Sequence, residues 1–112
     1  IFYTQEAMAL KLIMKFEDGT SRTFDINQDR TTIGSRRSCD LHIAIPTIAP
    51  LHCEITLKDG LANLTNSDPN ADTLHNNSIV KSTDLVNEDI VKIGPVEFTV
   101  EMNHDETVIR RL

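Results

Sequence analysis

Four histidines (His42, His52, His75 and His104) and two cysteines (Cys39 and Cys53) are the most chemically versatile side chains of this 112-residue sequence. A zinc site needs ligands in close pairs that converge on one point. Cys39-x-x-His42 and the adjacent His52-Cys53 do not supply that spacing. Neighbours on a strand project to opposite faces, so His52 and Cys53 are not expected to share an ion. No metal or cofactor is expected. Nucleophilic catalysis needs a Ser or Cys beside a base that a third group orients. Ser35 or Ser38 near His52 could be drawn that way, but no nucleophile elbow accompanies them, and no enzymatic activity is expected.

Charge narrows the partners further. Lys and Arg number 11 against 17 Asp and Glu, a net charge of −6 with His neutral. Such a surface repels phosphate backbones, and aromatics at 4% with no Trp offer no stacking platform, so direct nucleic-acid binding is not expected. No apolar run approaches the ~18 residues of a membrane span, and no membrane partner is expected. The start, Ile1-Phe2-Tyr3-Thr4-Gln5-Glu6, lacks the basic segment and long apolar stretch of a secretory signal. Two cysteines are too few for a disulfide framework, which favours a reducing compartment. The sequons at Asn63 and Asn76 are then chance matches.

The elements that position these residues read as short strands between turns. Met8, Leu10, Leu12, Met14 and Phe16 alternate with Ala9, Lys11, Ile13 and Lys15, the period of a half-buried strand. Asp18-Gly19 turns it into a return strand over Thr20 to Ile26, and Asp59-Gly60 makes a second hairpin between His52–Lys58 and Leu61–Leu64. Arg30–Ile33 and Leu41–Ile45 are further strands, the latter ended by Pro46. Ile79-Val80, Asp89–Ile93 and Val96–Met102 complete the set, while Thr65 to Asn77 is a polar loop by composition. No segment holds a helical period. The expectation is an all-β, two-sheet β-sandwich over residues 8–102, preceded by an N-terminal segment, 1–7, and followed by a tail or linker start, 103–112. Leu10, Leu12, Ile33, Ile43, Ile55, Leu57, Ile90, Ile93 and Phe98 are the expected core.

The order of motifs from Ile33 to Phe98 resembles a forkhead-associated (FHA) domain of the SMAD/FHA-like type. Ile33-Gly34 followed by Cys39-Asp40-Leu41-His42-Ile43 is similar to that family's Gly-Arg strand end and the acidic residue leading its next strand. Ala49-Pro50-Leu51-His52-Cys53-Glu54-Ile55 resembles its Ser-x-x-His strand, and Leu85 to Gly94 its Leu-x-x-Gly-Asp-x-Ile-x-Ile-Gly ending. The resemblance implies about eleven strands and a set of loops at one end that bind phosphothreonine peptides.

It also exposes departures. The family's arginine falls on Ser35, its serine on Ala49, and the basic residue that often follows that serine on Pro50. Its Asn-Gly pair falls on Ala71-Asp72, or on Asn70-Ala71 if the loop shifts by one, and Thr73 matches the family's threonine. A doubly charged phosphate needs cationic or hydroxyl donors, so the resemblance with these losses implies a degenerate site. Gly34 is expected to permit the strand exit, and His52 to hold the neighbouring loop. Arg36 and Arg37 are the alternative: either could swing into the vacated arginine position and, with Thr73, restore phosphopeptide binding. The main expectation is a protein-interaction module of a nuclear adaptor in the DNA-damage or chromatin response, with phosphothreonine binding weak or absent. Homodimerisation is expected through Ile1, Phe2, Tyr3 and the outward Ile13, with Val108 and Ile109 as further candidates.

Overall fold

The computed structural model describes the backbone of residues 2–16 and 18–111, and the side chains of residues 9–16 and 18–102. Eleven strands follow in chain order: β1 (Phe2–Lys15), β2 (Ser21–Ile26), β3 (Arg30–Gly34), β4 (Leu41–His42), β5 (Cys53–Lys58), β6 (Leu61–Asn66), β7 (Thr73–His75), β8 (Ser78–Ile79), β9 (Ser82–Leu85), β10 (Ile90–Ile93) and β11 (Val96–Arg111). They form two sheets, one of six strands in the order β2-β1-β11-β10-β7-β8 and one of five in the order β4-β3-β5-β6-β9. All-β sandwich architecture is therefore what the chain adopts. Among the described residues no helix is long and apolar enough to cross a membrane.

The core lies between the sheets because each strand alternates. Leu10, Leu12 and Met14 of β1 face Val96, Phe98, Val100 and Met102 of β11 on the inner side, and Ile33, Cys53, Ile55 and Leu64 close over them from the second sheet. Phe98, Leu64 and Ile93 are fully buried. Two expected core residues differ. Leu57 is only partly buried at the core's margin. Ile90 is exposed, because Val91 and Ile93 take the inner face of β10, and a period of two cannot bury Ile90 and Ile93 together.

The stretch expected as a polar loop, Thr65 to Asn77, contains the end of β6 and all of β7. Asn76 (φ 49°) and Asn77 (φ 72°) both take left-handed conformations and join β7 to β8 as a two-residue hairpin, with His75 opposite Ser78. Asparagine tolerates this region, so Asn-Asn does here what Asp59-Gly60 (φ 53° and 75°) does between β5 and β6. Strand β9 carries one buried residue, Leu85, and no clear alternation, which is why composition did not mark it.

Beyond the sandwich, β1 and β11 continue as a ribbon. Pairing runs from Phe2 opposite Arg111 to Met8 opposite His104, with an irregularity between Gln5 and Ala7. Of β1, only Leu10–Lys15 pair with β2, and of β11, only Val96–Thr99 pair with β10. The segments expected as N-terminal piece and tail are thus each other's partners.

Candidate functional site

Three connections meet at one end of the sandwich: β3–β4 (35–40), β4–β5 (43–52) and β6–β7 (67–72). What brings the first two together is Gly34. A Cβ built there would lie 2.2 Å from the Pro50 carbonyl oxygen, so no side chain fits. The requirement is close backbone approach, more specific than the eased strand exit expected from sequence. That approach lets the Ser35 N–H donate to the Ala49 carbonyl (3.0 Å) and the Arg36 N–H to the Pro50 carbonyl (3.1 Å). The Cys39 Sγ–H also donates to Pro50 O, at 3.2 Å. Asp40 closes the β3–β4 connection: its Oδ2 accepts from the Thr32 N–H and hydroxyl, while its own N–H donates back to Thr32 Oγ1.

His52 ties in the third connection. It is 2% exposed, its Nδ1 accepts the Ala49 N–H (3.2 Å), and its Nε2–H donates to the Asp72 carbonyl (2.7 Å). Both ring nitrogens are spent on backbone, which fixes the tautomer and leaves none for a metal or a substrate. Cys53 is equally inert: burial pushes its thiol up to about 12, against a weaker opposing hydrogen bond with Thr73. Among the described residues no three His, Cys, Asp or Glu are grouped to hold a metal ion.

Between the β4–β5 and β6–β7 connections runs an open groove of about 490 Å³. Its apolar lining includes Pro46, Ala49, Pro50 and Ala71, with Thr47 and Asn70 as neutral polar members. Two carboxylate residues, Asp68 and Asp72, also line it, and no Lys or Arg does. Asp68 Oδ1 accepts the Asn70 N–H (2.8 Å), and its carbonyl accepts from Asn66 Nδ2 and the Ala71 N–H.

The residues singled out in the sequence divide as follows. Ala49, Pro50, His52, Asn70, Ala71 and Asp72 line the groove. Gly34 and Ser35 lie behind it as supports, Ser35 half-buried. Arg36 and Arg37 are exposed on the adjoining turn, line no part of the groove and make no ion pair among the described residues. Thr73 is fully buried and its hydroxyl donates to Asn66 Oδ1 at 2.8 Å, so it faces the interior and is no phosphate donor in this arrangement. Ile13 is half-buried on the outer face of β1, between Thr23 and Thr99. Ile1 and the side chains of Phe2, Tyr3, Val108 and Ile109 lie outside the described residues. Sequence reasoning missed Asp68, Pro46 and Thr47. Asp68 carried a signal, since Asp-Pro-Asn is a turn sequence that places the aspartate at its start.

A second polar cluster lies under the β9–β10 turn. Asp89, 7% exposed, accepts from His75 Nε2 (2.7 Å), the Val86 N–H (2.9 Å) and Asn76 Nδ2 (3.1 Å). Burial works against its charge, but these bonds prevail and hold the carboxyl below its ordinary value. Both carboxylate oxygens are engaged, so the cluster pins β7 to the turn before β10.

Two sheets in this order, with three connections tied around a histidine at one end, form the eleven-stranded sandwich that the sequence resemblance implied. The FHA domain family matches residues 31–94, and the chain belongs to that family. No curated protein sequence matches it significantly. Among solved structures it is similar to the FHA domain of Rv0020c (23% identity, TM-score 0.77, covering 87% of this chain and 95% of that one). It is similar to the N-terminal FHA domain of Rad53p from S. cerevisiae, solved with a phosphothreonine peptide (20% identity, TM-score 0.73, 85% and 94%). It also resembles the yeast Dun1 FHA domain, solved with a doubly phosphorylated peptide (24% identity, TM-score 0.71, 84% and 74%). These likenesses establish the fold. Domains of this family are protein-interaction modules, typically non-catalytic and typically specific for phosphothreonine peptides.

Proposed function

We propose that this domain is an adaptor module that engages protein partners without needing phosphothreonine, and that it self-associates. The observation that carries the reading is the composition of the groove: Ala49 and Pro50 stand on its lining where a phosphate would need donors, no Lys or Arg lines it, and two carboxylate residues do. A charge-assisted hydrogen bond contributes roughly 1.5–3 kcal/mol, so losing several weakens a micromolar site beyond millimolar. Self-association is supported by the open edges of the β1–β11 ribbon, where backbone donors and acceptors lack a third strand. A nuclear setting in the DNA-damage or chromatin response rests on the sequence resemblance, and imaging of a tagged full-length protein tests it.

The second reading is a phosphothreonine-peptide receptor using Arg36 or Arg37. Family membership and the phosphopeptide complexes of Rad53p and Dun1 favour it over the first, as do two exposed guanidinium groups beside the groove. Isothermal titration with a phosphothreonine peptide library and its unphosphorylated counterparts decides. Equal, millimolar-or-weaker binding of both sets supports the first reading. Submillimolar, phosphate-dependent binding lost on Arg36→Ala or Arg37→Ala establishes the second.

A further inference from the structure

We infer that the groove has reversed its electrostatic preference and takes a basic, unphosphorylated peptide, with a lysine or arginine side chain lying along it. The inference rests on the reading that phosphate recognition is lost, and it names the partner chemistry that replaces it.

Three properties of the groove converge on that occupant. Its lining carries an apolar share from Pro46, Ala49, Pro50 and Ala71 beside the polar Thr47 and Asn70. Its charged members are Asp68 and Asp72 alone, on the one connection that the His52 bond holds in place. Three backbone donors at this end are already committed: Ser35 and Arg36 donate to Ala49 and Pro50, and Ala49 donates to His52. A long cationic side chain matches this combination, because its methylene stem covers apolar surface while its head reaches a carboxylate. An aliphatic side chain would leave the carboxylates unanswered, and a phosphate would meet them at close range with nearly two negative charges. The net charge of −6 steers a basic segment toward the whole domain and repels an acidic one. Neither carboxylate makes an ion pair among the described residues. Asp68 keeps one oxygen beyond its bond to Asn70, and Asp72 engages His52 only through its carbonyl.

The test uses the full chain and three probes: a short peptide with lysines on both sides of a central threonine, the same peptide carrying phosphothreonine, and the same peptide with glutamates replacing the lysines. The lysine peptide should bind tightest, weaken as salt is raised, and lose affinity at least about fivefold when its threonine is phosphorylated. Asp68→Asn with Asp72→Asn should weaken it by a similar factor, and Asp68→Asn keeps the Oδ1 acceptor for Asn70, so the fold is preserved. Tighter binding of the phosphorylated probe, lost on Arg36→Ala, overturns both this inference and the reading beneath it. Lysine-peptide binding that is absent, or indifferent to the Asp68 and Asp72 substitutions, overturns the inference and leaves loss of phosphate recognition standing.

Discussion

Single residues decide whether the loop end of this sandwich exists at all, and Gly34 is the sharpest case. With a Cβ 2.2 Å from the Pro50 oxygen, Gly34→Ala forces apart the two connections that the Ser35 and Arg36 amides hold together. The expected cost is at least about 3 kcal/mol, read as a lowered midpoint in urea unfolding. Glu88 points the other way. It sits at φ 72°, where a residue with a Cβ is strained, in a position the family pattern gives to glycine. Glu88→Gly relieves that strain and should stabilise the domain by about 1 kcal/mol, net of glycine's larger unfolded-state entropy. The same urea titration checks it, and an unchanged or lower midpoint would contradict the assignment of strain.

At the scale of elements, two polar ties hold neighbouring segments together. His52 links β4–β5 to β6–β7. His52→Ala leaves the N–H of half-buried Ala49 without its acceptor, so amide exchange at Ala49 should accelerate well before the strands of the second sheet respond. Asp89 links β7, through His75 and Asn76, to the turn before β10. Its folded pKa lies below the ordinary 3.8, so its contribution is complete at neutral pH. That contribution is lost as pH falls through the ordinary carboxylate range toward the lower folded value. Stability measured by denaturant between pH 7 and pH 3 should fall, and Asp89→Asn should flatten part of that slope while lowering stability at pH 7.

The whole molecule is elongated, 54 × 30 × 27 Å. Outside the sandwich, β1 and β11 pair only with each other, and an isolated two-stranded ribbon is marginal in water. A chain trimmed to residues 8–104 should therefore still unfold cooperatively, within about 5 °C of the full chain by calorimetry. A larger loss that grows with the full chain's concentration would mean that a second copy holds the ribbon, and sedimentation of both chains would then show a dimer only for the longer one.

Much of the fold was legible in local pattern. Alternation in β1, β5 and β11 and the Asp-Gly turns are properties of adjacent residues, and the order of Ile33-Gly34, His52 and the Ile90–Gly94 ending pointed to the family without any tertiary contact. The hairpin at Asn76-Asn77 was legible too, had the pair been read for its tolerance of left-handed backbone rather than for polarity. What sequence alone could not settle were relations between segments far apart in the chain. Ile90 looked as apolar as Val91, and only the register against Thr99 and Phe98 decided which one the core received. Thr73 looked like a ligand-facing hydroxyl until β7 turned it inward onto Asn66. Phe2 and Arg111 stand at opposite ends of the chain, and no local signal announces that they pair. The groove is the clearest instance. Asp68 and Asp72 are ordinary loop residues until Gly34 and His52 draw three connections together and make them line one groove with Pro46 and Pro50, because electrostatics and packing act through space while composition records only order along the chain.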